Sequence, residues 1–146
     1  MKVVVQRSLA SQVLVDNKIV GSIDNGLVLL VGFTQGDTDN DIDYLVKKIV
    51  NLRIFDDENG IMNKSILDVG GSILSISQFT LYANTVKGNR PSYIEALPSK
   101  EAEPLYNLFN EKLLANNIKV ETGIFGADML VNINNNGPVT IILESR

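Results

Sequence analysis

The chain has 146 residues, of which 45% are hydrophobic and 21% charged, and this predicts one compact domain spanning residues 1–146. It contains no Cys and no His, which excludes disulfides, thiolate nucleophiles, imidazole bases and metal sites built on those ligands. Thirteen basic and seventeen acidic residues give a net charge of −4, which argues against a long electropositive surface that grips nucleic acid.

Hydropathy gives no sign of a membrane segment. The longest apolar run, Leu27 to Phe33, has the length of a strand and not the roughly 18–20 residues that cross a bilayer. The segment Met1 to Arg7 has a short apolar run but lacks the succession of regions found in a signal peptide. Because the chain has no Cys to oxidise and no signal peptide, we expect a soluble, cytoplasmic protein with no membrane partner. We also expect no metal and no cofactor.

The first part of the chain predicts strands. Val3 to Arg7 reads as one strand, and Gln12 to Asp16 with Lys18 to Ile23 reads as a hairpin that turns at Asp16-Asn17. Gly26 to Phe33 is continuously apolar, which predicts a central strand covered on both faces.

Two segments have helical periodicity. Asp39, Asn40 or Asp41 is expected to cap a first helix, whose inward positions follow the i, i+3, i+4, i+7 pattern: Ile42, Leu45, Val46 and Ile49. A second helix is expected from about Ser99 or Glu103 to about Ala115, with Pro104 inside its first turn, where proline is tolerated.

The remaining elements are predicted strands: Ser72 to Leu81, Ile118 to Glu121, Met129 to Ile133 and Val139 to Leu143. The resulting order of strands, helix, strands, helix and strands predicts an α/β fold with mixed sheets and two long helices.

Two segments are candidates for chemistry. In a strand from Ser72 to Leu81, Gln78 and Thr80 would face one side, and Ser77 and Phe79 the other. Such hydroxyls are also ordinary in strands, and a threonine without a neighbouring base is a weak nucleophile.

The second candidate is the segment Asn134 to Thr140. Gly137 permits close backbone approach and Pro138 lacks an N–H, so the segment can present bare carbonyl oxygens or can be a plain loop before an edge strand. Arg7 is either a partly buried donor to such carbonyls or a surface residue.

Together these segments resemble the D-aminoacyl-tRNA deacylases, also called D-tyrosyl-tRNA(Tyr) deacylases, from end to end. The matching segments, in chain order, are Val4–Arg7, Leu52–Phe55, Asp57–Asn63, Leu67–Gly71, Ser77–Ala83, Lys87–Ser92, Thr122–Met129 and Asn136–Thr140.

The resemblance implies a barrel-like layered α/β domain and a homodimer that shares its active sites across the subunit interface. It implies that a cis Gly137-Pro138 pair enters the partner's pocket beside the segment from Ser77 to Thr80. Fixed carbonyls would hold the substrate ammonium, exclude L side chains and admit D-amino acids or glycine. Arg7 would brace those carbonyls.

The reaction implied is hydrolysis of the ester of a D-aminoacyl-tRNA, with mischarged glycyl-tRNA as a further substrate. The Phe79 N–H, helped by Thr80, would polarise the carbonyl, while Thr80 as nucleophile and assistance by the terminal ribose hydroxyl both stay open, the second being favoured. Phe125 and Met129 would line the adenosine site.

Two cations are further candidates for substrate binding. Lys87 and Arg90 are candidate phosphate contacts to the 3′ end of the tRNA, or merely solubilising charges.

A non-catalytic RNA-binding module is disfavoured because a basic stripe is absent and aromatic residues make up only 6% of the chain. A dimeric small-molecule binder would be favoured by a trans Gly137-Pro138 bond far from Thr80.

Overall fold

A five-stranded mixed sheet forms the centre of the computed structural model, which describes residues 1–146. The strands are β1 (Lys2–Ser8), β2 (Ser11–Val15), β3 (Lys18–Ile23), β4 (Gly26–Gly32), β5 (Phe55–Asp56), β6 (Met62–Lys64), β7 (Ser72–Ser77), β8 (Val120–Thr122), β9 (Leu130–Asn132) and β10 (Asn135–Glu144). The helices are α1 (Asp39–Asn51), α2 (Ile66–Val69) and α3 (Ser99–Leu114), with a 3₁₀ helix at Phe79–Tyr82.

The main sheet has the strand order β10-β1-β4-β7-β8. β4, β7 and β8 run parallel, while β1 is antiparallel to both of its neighbours. β4 lies in the middle and is buried along nearly its whole length, as its continuous apolar run predicts. A smaller sheet, β3-β2-β9, and the β5-β6 hairpin complete the strands.

Both faces of the main sheet are covered. The larger core lies between one face and helices α1 and α3, and it includes Leu27, Leu29, Val31 and Phe109. The smaller core lies against the three-stranded sheet, and its members are Val13, Ile23, Val28, Leu74 and Ile76. This arrangement confirms the predicted layered α/β domain with two long helices.

The predicted hairpin and both long helices are confirmed, with corrections at two ends. Asp16 and Asn17 have φ angles of 49° and 62°, which suits a tight hairpin turn. The cap of α1 is Thr38 and not one of the three residues after it, because the Asp41 carboxylate accepts from the Thr38 N–H at 2.8 Å in a capping box. In α3, Pro104 is the sixth residue and so lies beyond the first turn.

The strand predicted from Ser72 to Leu81 is too long. It ends at Ser77, and the chain then turns into the 3₁₀ helix that packs against the end of β4. Gly32 makes this possible, because a Cβ there would come within 3.0 Å of the Gln78 carbonyl oxygen and 3.2 Å of the Leu81 Cβ. None of the helices combines the length and apolarity that a membrane span needs.

Candidate active site

A cavity of about 740 Å³ opens where the parallel strands β4 and β7 end. The carboxyl ends of parallel strands are a common place for ligand sites, because the chain leaves the sheet there and exposes backbone groups. The lining includes Gly32, Ser77, Gln78, Phe79, Phe125 and Met129. The fold therefore brings Ser77, Gln78 and Phe79 to one cavity with the predicted adenosine pair, whereas Thr80 is not part of the cavity lining.

The 3₁₀ turn places Gln78 and Thr80 together, although the strand alternation invoked for this pairing is wrong. The Gln78 side-chain amide donates a hydrogen bond to the Thr80 hydroxyl oxygen. No carboxylate or amine is hydrogen-bonded to that hydroxyl, so nothing in the subunit activates Thr80 as a nucleophile.

The backbone at Phe79 offers an unused donor. The first hydrogen bond of the 3₁₀ helix runs from the Leu81 N–H to the Gln78 carbonyl at 3.2 Å. The N–H groups of Phe79 and Thr80 precede that bond and are not needed by the helix. Phe79 is 55% exposed and lines the cavity, so its N–H is a candidate donor for polarising a substrate carbonyl group.

Phe125 and Met129 reach the cavity from the turn that follows β8. The Phe125 ring packs against Tyr106 with a centroid separation of 5.7 Å. Tyr106 lies in α3, is buried, and donates its hydroxyl to the Ser75 carbonyl of β7 at 2.8 Å. Burial raises the pKa of Tyr106, so it remains a neutral donor. Tyr106 therefore links Phe125, in the cavity lining, to β7, the strand that ends at Ser77.

Gly123 is a second supporting residue that sequence reasoning missed. A Cβ at this position would overlap the Met129 sulfur and would come within 3.4 Å of Val13. The missing side chain lets the thioether fill the floor of the cavity. No local pattern marks this role, because the contact joins the two ends of the loop between β8 and β9 and also involves Val13 of β2.

The rim formed by Tyr93, Ile94 and the segment 96–99 was also missed. Tyr93 meets the Phe79 ring edge-on at 5.1 Å, and Ile94 is 84% exposed beside the cavity. The available signal was the apolar pair Tyr93-Ile94 directly after a polar loop, which is the loop that carries Lys87 and Arg90.

Gly137 and Pro138 lie elsewhere on the subunit and are exposed. Their peptide bond is cis, as the resemblance implies, and neither residue lines the cavity of its own chain. They belong to a large bulge in β10: Thr140 pairs with Gln6 and Asn135 with Ser8, so residues 136–139 lie outside the ladder. The bulge projects from the edge strand of the main sheet.

Arg7 fixes this bulge from beneath. Its Nε donates to the Asn136 carbonyl at 3.1 Å, and its Nη1 donates to the Ile54 carbonyl at 2.8 Å and to the Asp56 carboxylate at 3.3 Å. The Arg7 residue is only 9% exposed, so it is the partly buried donor of the two sequence alternatives, but the carbonyl that it holds in this segment is that of Asn136 and not that of Gly137 or Pro138.

The Asn135 side chain closes the bulge. Its amide nitrogen donates to the Arg7 carbonyl at 3.0 Å and to the Val139 carbonyl at 2.9 Å, across the residues that leave the ladder. The Gly137 φ of 127° is one that side chains disfavour, and a Cβ there would also lie 3.1 Å from the Arg7 guanidinium. The bulge is therefore a defined backbone shape and not a plain loop.

The cavity holds few ionisable groups. Asp128 and Tyr93 are the only titratable side chains in its lining. No three Asp or Glu side chains of the chain converge in a way that could hold a metal ion. The chemistry available at the cavity is backbone N–H groups, hydroxyls, an amide and apolar surface.

Known proteins match this chain over nearly its whole length. The sequence profile of the family described as D-Tyr-tRNA(Tyr) deacylase matches residues 4–144. The D-aminoacyl-tRNA deacylase of Clostridium botulinum is 56% identical over 146 residues, covering all of this chain and 98% of the relative. That of Halalkalibacterium halodurans is also 56% identical and covers all of both chains.

Two solved structures are similar. One is described as c-Myc DNA Unwinding Element Binding Protein, with a TM-score of 0.94, 42% identity, and coverage of 100% of this chain and 99% of that one. The other is described as a probable eukaryotic D-amino acid tRNA deacylase, with a TM-score of 0.84 and 18% identity over 98% of each chain, which shows the fold alone. The profile and the two relatives show that the chain belongs to the D-Tyr-tRNA(Tyr) deacylase family, a family of hydrolases that cleave the ester bond of aminoacyl-tRNA.

Proposed function

We propose that two copies of this chain form a homodimer that hydrolyses the ester bond of D-aminoacyl-tRNA and rejects L-aminoacyl-tRNA by steric exclusion. One observation carries the proposal: in each subunit the Gly137-Pro138 bulge, which Arg7 braces, lies away from the cavity of the same subunit. A two-fold axis would bring the bulge of one subunit to the cavity of the other and generate two equal sites.

The bulge would act as a chiral filter. In the proposed complex the carbonyl oxygens of Gly137 and Pro138 accept hydrogen bonds from the substrate ammonium group and fix the position of its Cα. An L side chain would then point into the bulge, a D side chain would point away from it, and glycine would fit as well. Glycyl-tRNA is therefore a further proposed substrate.

The chemistry relies on orientation and on stabilising negative charge at the carbonyl oxygen. The ester of an aminoacyl-tRNA is already activated, so a positioned water can attack it without a strong side-chain base. The Phe79 N–H, with Thr80 nearby, would stabilise the developing oxyanion. The terminal ribose hydroxyl would relay the proton from the water to the departing ribose oxygen, and the acyl–oxygen bond breaks.

The apolar wall would recognise the end of the tRNA. Phe125 and Met129 lie in the same cavity as Ser77 and Phe79, at a position where an aromatic ring and a thioether can pack on the terminal adenine. We place the activity in the cytoplasm, where aminoacyl-tRNA is made and used.

The first experiment compares substrates. The purified protein is incubated with D-tyrosyl-, L-tyrosyl- and glycyl-tRNA, and the released amino acid is measured. We expect release from the D-tyrosyl and glycyl substrates and none above background from the L-tyrosyl substrate. Equal rates for the two tyrosyl enantiomers would contradict the filter, and no release from any of them would contradict the proposed activity.

A mixing experiment tests the shared site. Gly137→Val alters the bulge, and Ala127→Trp fills the cavity from its lip, so each homodimer should be inactive. A randomly mixed population of the two variants should regain about a quarter of the wild-type activity, because half of the dimers are mixed and each has one intact bulge-cavity pair. No recovery on subunit exchange would place both parts of a site in one chain and refute the dimeric arrangement.

A further inference from the structure

The loop of residues 84–92 continues from the cavity rim and is structurally defined at its base. Asn84 and Ser92 form an antiparallel bridge, with hydrogen bonds of 2.9 Å in both directions. The Asn84 side chain accepts from the Val86 N–H at 2.9 Å and holds the start of the loop. The residue after Ser92 is Tyr93, which lines the cavity, so the loop stands directly beside the cavity mouth.

This loop carries positive charge and no negative charge. Lys87 and Arg90 lie in its exposed part, and residues 84–94 contain no Asp or Glu. The salt bridges of the chain involve the N-terminus, Lys2, Arg7, Lys64, Lys112 and Arg146, which leaves both loop cations without an acidic partner. In a chain of net charge −4, a cationic loop at the cavity mouth is a local departure from the overall charge.

The distance between the loop cations and the cavity rim suits a polymeric substrate. Arg90 is three residues from Tyr93, so its backbone lies within about 10 Å of the rim, and the long side chain extends that reach. A nucleic acid strand whose last nucleoside lies in the cavity can leave past this rim. Its first phosphodiesters would then meet the two cations, and Gly88 keeps the tip of the loop free of a bulky side chain.

We infer that Lys87 and Arg90 bind the phosphodiesters of the single-stranded 3′ end that precede the terminal adenosine, and so form a second subsite outside the cavity. The inference rests on the proposed function, because it takes the occupant of the cavity to be that adenosine. The subsite grips the strand by its backbone and carries no base specificity.

The test is the salt dependence of D-tyrosyl-tRNA hydrolysis by Lys87→Ala/Arg90→Ala. Single-stranded binding loses a slope of about 0.7 in log affinity against log salt for each phosphate contact that is removed. Between 50 and 200 mM KCl, kcat/KM of the wild type should therefore fall by about sevenfold more than kcat/KM of the double variant. The difference should lie in KM, with kcat unchanged.

Lys47→Ala/Lys48→Ala is the matched control, because these two exposed lysines also lack an acidic partner but lie on α1, away from the cavity lining. It should keep the wild-type salt dependence. If the loop variant keeps it as well, the subsite does not exist.

The 3′-D-tyrosyl ester of adenosine, which has no phosphate, separates this inference from the proposed function. Wild type and loop variant should hydrolyse it equally, and a defect of the loop variant on this ester would refute a phosphate role. If the wild type hydrolyses neither the ester nor D-tyrosyl-tRNA, the proposed function fails and the inference falls with it.

Discussion

Removing the Arg7 guanidinium should cost both stability and chiral discrimination. The side chain is buried and donates to the carbonyls of Ile54 and Asn136, and a partner left unsatisfied in a buried position costs about 1–3 kcal/mol. The Ile54 bond is fully buried and the Asn136 bond partly so. We therefore expect Arg7→Met to lose about 2–4 kcal/mol of unfolding free energy, most of it at Ile54. The half-exposed Asp56 adds little.

Arg7→Lys separates stability from function. Lysine keeps the charge and can satisfy one carbonyl, but it lacks the planar fork that reaches Ile54 and Asn136 in two directions. This variant should remain folded, yet the Asn136 carbonyl should lose its donor and the bulge its fixed position. The ratio of D-tyrosyl-tRNA to L-tyrosyl-tRNA hydrolysis should therefore fall by at least about tenfold.

Urea denaturation and matched D- and L-substrate assays measure the two effects. Arg53→Lys is the control, since Arg53 is also an arginine bonded to a backbone carbonyl, that of Asn63 at 3.0 Å, but it is exposed. Arg53→Lys should change neither quantity by much. If Arg7→Lys matches this control in its D/L ratio, Arg7 does not position the bulge.

Three further predictions concern single residues. Thr80→Ala should slow single-turnover hydrolysis by less than about tenfold, because the side-chain partner of Thr80 is the Gln78 amide, which cannot act as a base and activate the hydroxyl. Complete loss of hydrolysis with tRNA binding intact would show that Thr80 is the nucleophile. Gly123→Ala should raise KM with little change in kcat, because the added methyl displaces Met129; an unchanged KM would separate Met129 from substrate binding. Asp68→Asn should lower the melting temperature at pH 7, and its difference from the wild type should shrink as pH falls below 3.8. The Ser65 N–H bond lowers the pKa of Asp68 from 3.8, so its contribution is present above the unfolded pKa and is lost as pH falls through the folded one; a difference that stays constant as pH falls would contradict this origin.

The local parts of the fold could be predicted because local residues determine them. The Asp16-Asn17 turn needs two residues that tolerate positive φ, and the periodic apolar positions of α1 need only one covered face. The buried run of β4 likewise predicts a central strand without reference to its neighbours.

The errors occur where distant segments decide the backbone. Nothing in the sequence from Ser72 to Leu81 stops the strand at Ser77; the strand ends because Gly32, over forty positions earlier, lets the 3₁₀ turn pack on β4. Gly123 is a shorter-range case, because its missing side chain matters only when Met129, later in the same loop, folds back over it. The family resemblance supplied the site residues, whereas composition and periodicity alone left their roles open.

The bulge and the cavity suggest why a chain without histidine can be suited to this reaction. An activated ester needs little help from a base, and discrimination between D- and L-enantiomers needs a rigid surface. Side chains would rotate away from an L-amino acid, but a glycine-proline backbone held by Arg7 and closed by Asn135 has few ways to move. A strand edge is the one place in the main sheet where such a backbone can project toward another subunit. The rigidity of the donated backbone, and not the strength of any catalytic side chain, would then set the accuracy of the enzyme.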